Sequence, residues 1–304
     1  MLTNVTGIFY HPSFSRRSYL TQGSRLRHFP RVIEPLLRDP RFRLFESPMV
    51  PEDLLLRVHS AQLIREVDRD PLCSTGRRSA GGVVLAGETV ARGEIRNAFA
   101  FIGAGGHHSG RTFFGGSCCF NDVVLAVQHL RDLDLLHRFA ILDTDAHHGD
   151  GTRQLVEADP DVLHVCVCHD TYESRDGTKV DVPAPSPYDR FSNREVSSDV
   201  DFLYADAALS AFEPRVRRFR PDLIFWYFGF DTHRGDYGDL GLSGTCYTII
   251  ADRMKELAEE LCSGRLEVVL GGGSRSDIAR DVIPPILGIL GGVSIPPSSA
   301  FSSS

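Results

Sequence analysis

Residues 139–150 read FAILDTDAHHGD, a short apolar run that gives way at once to aspartates and histidines. A nearly continuous apolar run is typical of a strand that helices cover on both faces. Similar runs recur along the chain, for example LIFWYF at 223–228. They predict six strands, which lie at 7–10, 98–103, 139–143, 162–168, 222–229 and 266–271.

Helical patterns separate these strands. Between 120 and 133 the apolar side chains fall on one helical face, formed by Phe120, Val123, Val124, Val127 and Leu130. A second helix is predicted to start after Ser243 and to stop at Gly264, because glycine is common just beyond a helix end. Since strands and helices alternate, we predict an α/β fold with one parallel β-sheet flanked by helices on both faces, in three layers.

Length and composition are those of an ordinary globular protein. The chain has 304 residues, of which 42% are hydrophobic and 24% charged. No apolar run approaches the roughly 20 residues that span a bilayer, and the first residues do not resemble a secretory signal. We therefore expect a cytoplasmic protein that does not bind membranes. We expect one domain over 1–290, with a loop at 191–199 and a flexible tail at 291–304.

Charge and cysteine content argue against a nucleic-acid-binding protein and against a disulfide-stabilised protein. The net charge is −7 and no long block of like charges occurs, which disfavours direct binding to nucleic acid. The seven cysteines form no disulfide framework, and Cys166 and Cys168 alternate within an apolar run. We expect them to be buried, reduced thiols. The sequence does not specify an oligomeric state.

Polar residues follow the predicted strands one after another. In an open parallel sheet, ligands bind beyond the carboxyl ends of the strands. Five strands are followed by histidine, aspartate or glycine clusters: GGHH at 105–108, DTDAHHGD at 143–150, HD at 169–170, FDTH at 230–233 and GGG at 271–273. This concentration at one edge of the sheet predicts a functional site there.

Three of these residues form a candidate metal site. Asp145 and His147 are two residues apart, so on an extended segment their side chains point to the same side. With Asp231 from another strand they make a set of one imidazole and two carboxylates. Three protein ligands with an open position are typical of catalytic Zn²⁺ or Fe²⁺.

A second set would carry acid–base chemistry. His107 and His108 follow a third strand and would hold and deprotonate a metal-bound water. Asp143 and Asp150 flank the metal ligands, where they would orient imidazoles as hydrogen-bond acceptors.

Several segments resemble the metal-dependent histone deacetylase family, within the arginase–deacetylase fold and in the bacterial or archaeal type. They are GGHHSGR at 105–111, GSCCFND at 116–122, LDTDAHHGDGT at 142–152, GFDTHRGD at 229–236 and LGGG at 270–273. The likeness extends over about 7–290.

The resemblance implies roles residue by residue. Asp145, His147 and Asp231 match the metal ligands, for Zn²⁺ or Fe²⁺. The tandem histidines are His107 and His108, with Asp143 and Asp150 as their respective carboxylate partners. The resemblance also implies a structural K⁺, bound largely by backbone carbonyl groups around Asp143, Asp145, His147, Val167 and Cys168.

Two positions depart from the family pattern. The glycine loop normally ends Gly-Gly-Gly-Tyr, and the tyrosine hydroxyl stabilises the oxyanion; here the loop continues as Ser274-Arg275. We expect Arg275 to take that catalytic role through its charged donors. The alternatives are that Arg275 binds a carboxylate on the substrate, or that it swings out of the site, in which case nearby Tyr237 would supply the donor. Ser117 replaces a common phenylalanine of the pocket wall, so the pocket is expected to be wider and more polar. Its lining is expected to include Gly116, Ser117, Gly272 and Gly273.

The resemblance implies an amidohydrolase that removes an acetyl or other short acyl group from an N-acylated amine. Its partner would be acetyl-lysine in a protein or peptide, or an acetylpolyamine. An arginase-like ureohydrolase is an alternative, but it needs a second metal ion, and Thr232 and His233 follow Asp231 where another aspartate would be expected. A catalytically weakened acyl-lysine-binding protein is the other alternative, suggested by Arg275.

Overall fold

The computed structural model describes residues 4–16, 25–185 and 199–294. Within these residues nine strands form one sheet, in the order β2-β1-β3-β9-β8-β4-β5-β7-β6, and all neighbours are parallel except β6 and β7. The strands are β1 (Thr6–Tyr10), β2 (Phe42–Glu46), β3 (Asn97–Ala100), β4 (Phe139–Asp143), β5 (Val162–Cys168), β6 (Tyr172–Glu173), β7 (Lys179–Pro183), β8 (Leu223–Phe228) and β9 (Leu266–Leu270).

Helices pack against this sheet in two groups. One group is built around the helices at 52–58, 76–91 and 122–132, and the other around those at 200–219, 244–262 and 276–291. Helices pack on one another within each group, and the helix at 76–91 and all three helices of the second group also contact strands. The helices are α1 (Ser13–Arg16), α2 (Glu34–Leu37), α3 (Glu52–Val58), α4 (Ala61–Arg69), α5 (Gly76–Ala91), α6 (Asp122–Asp132), α7 (Asp150–Val156), α8 (Val200–Phe219), α9 (Gly244–Cys262) and α10 (Ser276–Gly291). The predicted three-layer α/β fold is confirmed.

The six predicted strands are all present, with small changes at their ends. β3 stops at Ala100, three residues before the predicted end, and three strands were not predicted: β2, β6 and β7. β2 is an edge strand in which only Phe42 is fully buried, so its sequence, FRLFE, lacks a continuous apolar run. β7 begins with the buried Lys179, whose ammonium group donates to the carbonyl groups of Asp159 and Val162.

Capping residues mark the start of two helices and the end of one of them. Asn121 caps α6 by accepting a hydrogen bond from the backbone N–H of Val124. Ser243 caps α9 in the same way, and the helix ends at Ser263 and Gly264, which both adopt positive φ angles (58° and 81°). The predicted start and end of this helix are therefore confirmed.

The order of the central strands positions the site. β9 and β8 lie between β3 and β4, and all four run parallel. Their carboxyl ends therefore lie at one edge of the sheet, and the segments after them meet there. β8 and β4 are buried at every residue, which fixes the starting point of these segments.

Two predicted segments lie largely outside the described residues. Of the loop predicted at 191–199, only residue 199 is described, and of the tail predicted at 291–304, residues 295–304 are not. The helix α10 ends at Gly291, where that tail was expected to begin. None of the helices in the described parts of the chain combines the length and apolar character needed to cross a bilayer.

Candidate metal and catalytic site

One imidazole and two carboxylates converge at the carboxyl ends of β4 and β8. Nδ1 of His147 lies 3.1 Å from Oδ1 of Asp145 and 3.1 Å from Oδ2 of Asp231. Both aspartates are buried, whereas the His147 side chain is 44% exposed. The structure therefore brings together the three predicted metal ligands. This nitrogen and oxygen donor set, open on one side, fits Zn²⁺ or Fe²⁺.

Backbone N–H groups hold the second oxygen of each carboxylate. Gly272 donates to Oδ2 of Asp145 (2.6 Å), and Ala146 donates to Oδ1 of Asp231 (3.2 Å). A Cβ atom on Gly272 would lie 2.5 Å from Oδ2 of Asp145, so the close approach of this backbone requires glycine. Each carboxylate is thus oriented through one oxygen and presents the other to His147.

The two buried carboxylates give the cluster a high affinity for protons. Burial and the neighbouring Asp145 carboxylate raise the pKa of Asp231 to about 7. Hydrogen bonds to Asp145 and Asp231 raise the pKa of His147 to about 10. Burial also acts to raise the pKa of Asp145, but the imidazoles of His107 and His147 outweigh it and hold that pKa well below its usual range. These shifts show that two carboxylates buried together favour positive charge beside them, which protonated His147 provides here and which a metal ion would also provide.

The tandem histidines line the same cavity, each tied to its own aspartate. Nδ1 of His107 lies 3.0 Å from Oδ2 of Asp143, and Nδ1 of His108 lies 2.6 Å from Oδ1 of Asp150. The two imidazole rings are 4.1 Å apart, and the His108 ring lies 6.0 Å from that of His147. A carboxylate at Nδ1 fixes the proton there and leaves Nε2 free for chemistry.

The two histidines differ in proton affinity. Burial acts to lower the pKa of His107, but the carboxylates of Asp145 and Asp143 outweigh it and raise that pKa to about 9. Burial, assisted by the positive charge of His107, lowers the pKa of His108. The pKa values of the two neighbouring rings are therefore shifted in opposite directions.

A cavity of about 230 Å³ lies over these groups. It is lined by both tandem histidines, by Asp145 and His147, and by the predicted wall residues Gly116, Ser117 and Gly272. Gly116 and Ser117 both have positive φ angles (54° and 67°), which turns the chain around the cavity. Gly273 adjoins the wall through its backbone N–H.

The structure turns Arg275 away from this cavity, contrary to the catalytic role expected from its position. Its side chain is 49% exposed and forms a double hydrogen bond with Asp277 (2.6 and 3.1 Å). The Asp236 carboxylate accepts hydrogen bonds from the backbone N–H groups of Ser274 and Arg275. These bonds direct the chain outward into α10, where Arg275 is the residue before the first turn.

Tyr237, the expected alternative, lines the cavity instead. Its hydroxyl accepts a hydrogen bond from the backbone N–H of Gly273 (3.1 Å). The residue is 49% exposed, but its hydroxyl end is turned into the cavity, where loss of water raises the pKa of the phenol, so the phenol is neutral and keeps its proton. Tyr237 belongs to the segment after β8, whereas the family pattern places a tyrosine at the end of the glycine loop, which here follows β9.

Two supporting residues, Arg25 and Tyr227, were not predicted. The buried Arg25 guanidinium donates to the carbonyl groups of Gly271 (2.5 Å), Gly273 (3.1 Å) and Ile102 (3.1 Å). The Tyr227 ring stacks on the His107 imidazole at 4.8 Å. Tyr227 is part of the apolar run LIFWYF, and Arg25 belongs to no recognisable motif, so the sequence gives little indication of either role.

The K⁺ site expected around Asp143, Asp145, His147, Val167 and Cys168 stays a prediction.

Comparison with known proteins places this geometry in a family. Residues 69–288 match the family described as "Histone deacetylase domain". A "Probable deacetylase" of Archaeoglobus fulgidus is 28% identical, and the alignment covers 88% of this chain and 81% of that protein. The mouse "Polyamine deacetylase HDAC10" is also 28% identical, over 75% of this chain and 36% of that protein.

Other relatives are much longer than this chain. The human "Histone deacetylase 9" is 28% identical over 65% of this chain, but the alignment spans only 20% of its own length. A solved structure, "Crystal Structure of HDA15 HD domain", superposes with a TM-score of 0.77 at 21% identity, covering 96% of this chain and 91% of that one, which shows a shared fold. Since the family match extends over well more than half of the sequence, the chain belongs to the histone deacetylase domain family.

Proposed function

We propose that this protein is a metal-dependent amidohydrolase that removes an acetyl or other short acyl group from an N-acylated amine. The observation that carries the proposal is a single cavity that holds two kinds of group. One is His147 between two buried carboxylates, and the other is a pair of histidines, each tied to an aspartate. Relatives named deacetylases support the same reaction class.

Asp145, His147 and Asp231 would hold the metal ion, Zn²⁺ or Fe²⁺. When bound, such an ion polarises the amide carbonyl group and lowers the pKa of a water molecule. The two aspartates contribute negative charge from buried positions, and the half-exposed His147 leaves the cavity side open to substrate.

The tandem histidines would move the protons of hydrolysis. Nε2 of His108 accepts a proton as water adds to the carbonyl carbon, because Asp150 keeps the proton of that ring on Nδ1. His107, held by Asp143 and 4.1 Å from the His108 ring, would be the second proton carrier of the pair. A proton returned to the amide nitrogen allows the C–N bond to break, which yields a carboxylic acid and the free amine.

Tyr237 would stabilise the oxyanion. Its phenol is neutral and accepts a hydrogen bond from Gly273, which polarises the O–H group and strengthens it as a donor. A donor that is fixed before the reaction starts stabilises charge that develops on the substrate oxygen. Tyr237 thereby takes over the role expected for Arg275, which points to solvent.

The ureohydrolase alternative finds less support. A second metal ion would need further donors beside Asp231, but Oγ1 of Thr232 bonds to the Tyr247 hydroxyl, and Nδ1 of His233 bonds to the carbonyl of Arg234. Among the described residues, the donor group at this point consists of Asp145, His147 and Asp231. The substrate is therefore proposed to be an acyl amine, either acetyl-lysine in a protein or peptide or an acetylpolyamine.

Hydrolysis of a small substrate panel tests the proposal. The panel contains an acetyl-lysine peptide, a trifluoroacetyl-lysine peptide and an acetylated polyamine, each offered to Zn²⁺-loaded and Fe²⁺-loaded protein. We expect turnover above an Asp145→Asn blank, and the ranking of substrates identifies the preferred amine. Metal-loaded protein that binds acyl-lysine ligands without hydrolysing any of them would replace the proposal with a binding function.

A further inference from the structure

A second cluster of metal-ligating side chains lies on the other side of the segment that follows β4. One donor atom from each of His148, Cys166, Cys168 and Asp181 lies within 4.8 Å of the others. Nδ1 of His148 is 3.5 Å from Sγ of Cys168 and 3.5 Å from Oδ1 of Asp181. None of these four residues belongs to the donor set of the cavity.

The register of the sheet creates this cluster. Cys166 and Cys168 are two residues apart on β5, so both side chains stand on the same face. Cys166 pairs with Asp143 on β4 and with Asp181 on β7, so those two carboxylates flank it on that face. His148 comes from the segment after β4, one residue beyond His147, and turns towards β5 while His147 turns towards β8.

The cluster is enclosed. Both cysteines are completely buried, Asp181 is 5% exposed, and the His148 side chain, at 28%, provides the access from solvent. Four polar or sulfur donors within 4.8 Å of one another, three of them on buried residues, are unusual for a packed core, where apolar neighbours would fill the same space.

We propose that His148, Cys166, Cys168 and Asp181 form a second metal site that takes a thiophilic cation such as Zn²⁺. Thiolate ligands favour such cations over Mg²⁺ or Ca²⁺. Four protein donors leave no position for substrate, so the site is structural. A bound ion would tie the segment that carries His147 and His148 to β5 and β7, and thus position the donor His147.

The neighbouring charges fit a divalent ion. The Arg153 guanidinium bonds to both oxygens of Asp181 (2.7 and 2.9 Å) and is itself held by Nδ1 of His164 (3.3 Å). Each carboxylate oxygen has a second lone pair, so Arg153 orients Asp181 and leaves it able to bind metal. Binding releases the two thiol protons to solvent, and the two thiolates and one carboxylate are then balanced by the divalent ion and Arg153.

Cobalt substitution tests the proposal without reference to catalysis. The protein, freed of metal with a chelator, is titrated with Co²⁺ while its absorption spectrum is recorded. We expect two ions per chain and an intense near-ultraviolet thiolate-to-cobalt band, which the oxygen and nitrogen donors of the cavity cannot produce. Saturation at one ion without such a band would overturn the proposal.

Variants show which residues give rise to the thiolate-to-cobalt band. The double variant Cys166→Ser/Cys168→Ser should lose the band and one ion, while Cys246→Ser, equally buried in α9, should keep both. Asp231→Asn should lose the other ion and keep the band, so failure of this site and failure of the proposed function are distinguishable. A band that persists in the double variant, or that disappears in Asp231→Asn, would overturn the proposal. If the double variant does not fold, the wild-type titration still decides.

Discussion

The ring of Tyr237 stacks on the imidazole of His147, with ring centroids 5.6 Å apart and planes inclined by 30°. The same tyrosine bonds through its hydroxyl to the backbone N–H of Gly273. One side chain therefore touches both the donor segment after β4 and the glycine loop after β9. This fixes the phenol in the cavity, beside the proposed metal donor His147.

Removing the Tyr237 hydroxyl should slow the reaction while leaving metal binding intact. We expect Tyr237→Phe to lower kcat by about 10²–10³, the usual effect of losing one oxyanion donor. Metal content should not change, because the ring still stacks on His147. Arg275→Met is the matched control and should keep nearly the wild-type kcat. A Tyr237→Phe enzyme with wild-type turnover, or a large loss in Arg275→Met, would contradict the assignment.

The pH dependence of kcat/KM should reflect the protonation of His108. Burial and the charge of His107 place the pKa of His108 below its ordinary 6.5, and the base acts only when neutral. The acid limb of kcat/KM should therefore lie below pH 6.5. Asp150→Asn removes a hydrogen bond that raises this pKa, so the limb should move to lower pH. His108→Ala should lose about 10²–10⁴ in kcat. An acid limb above pH 6.5 would argue against His108 as the base.

Loss of either aspartate of the donor set should remove the metal from the cavity. We expect Asp145→Asn and Asp231→Asn to be inactive, and added Zn²⁺ or Fe²⁺ should not restore them, because an amide oxygen carries no charge. Wild-type protein treated with a chelator should lose activity and regain it with either ion. Elemental analysis measures the metal content of each variant. His108→Ala, which keeps all three metal donors, is the control and should retain the metal. Full activity of Asp231→Asn would disprove the metal site.

The glycine loop should tolerate no side chain at Gly272. A methyl group there would lie 2.5 Å from Asp145 Oδ2 and 2.7 Å from Asp231 Oδ2, so Gly272→Ala must displace a metal donor. We expect a loss of about 10–100-fold in metal affinity, comparable to losing a group that orients a ligand. Gly244→Ala, whose added methyl would meet its nearest neighbour only at 3.8 Å, should bind metal normally. Competition with a coloured chelator measures the metal affinities of both variants. Equal affinities would show that metal binding does not require glycine at position 272.

Arg25 should contribute to stability through the loop that it supports. Arg25→Met leaves buried carbonyl groups of Gly271, Gly273 and Ile102 without this donor. We expect the free energy of unfolding to fall by about 3–5 kcal/mol. Urea denaturation should show this loss, and the exposed neighbour Arg27→Met should show almost none. Equal stabilities of the two variants would show that the loop does not depend on Arg25.

Much of the candidate site could be predicted because its residues lie where strand periodicity is strong. Asp145 and His147 follow a completely buried strand, and two-residue spacing on an extended segment places side chains together. Parallel pairing of β4 with β8 then brings Asp231 to them. The edge strand β2 was missed because its exposed residues carry no continuous apolar run.

The parts that sequence could not predict depend on tertiary hydrogen bonds. Arg275 occupies the position expected of a catalytic residue, but Asp236 turns the backbone there towards solvent. The orientation of Tyr237 depends on Gly273, which is 36 residues away in the chain. Arg25 reaches Gly271 across 246 residues, so no local pattern indicates that contact.

The pairing of His147 with Asp231 links two points that are 84 residues apart in the chain. An unfolded chain does not hold these groups together, so a cation that joins them binds the folded state alone. Mass action then adds stability that grows with free metal, reaching about 4 kcal/mol when its concentration is a thousand times the dissociation constant. Metal supply would thus set the stability of the folded protein as well as its turnover.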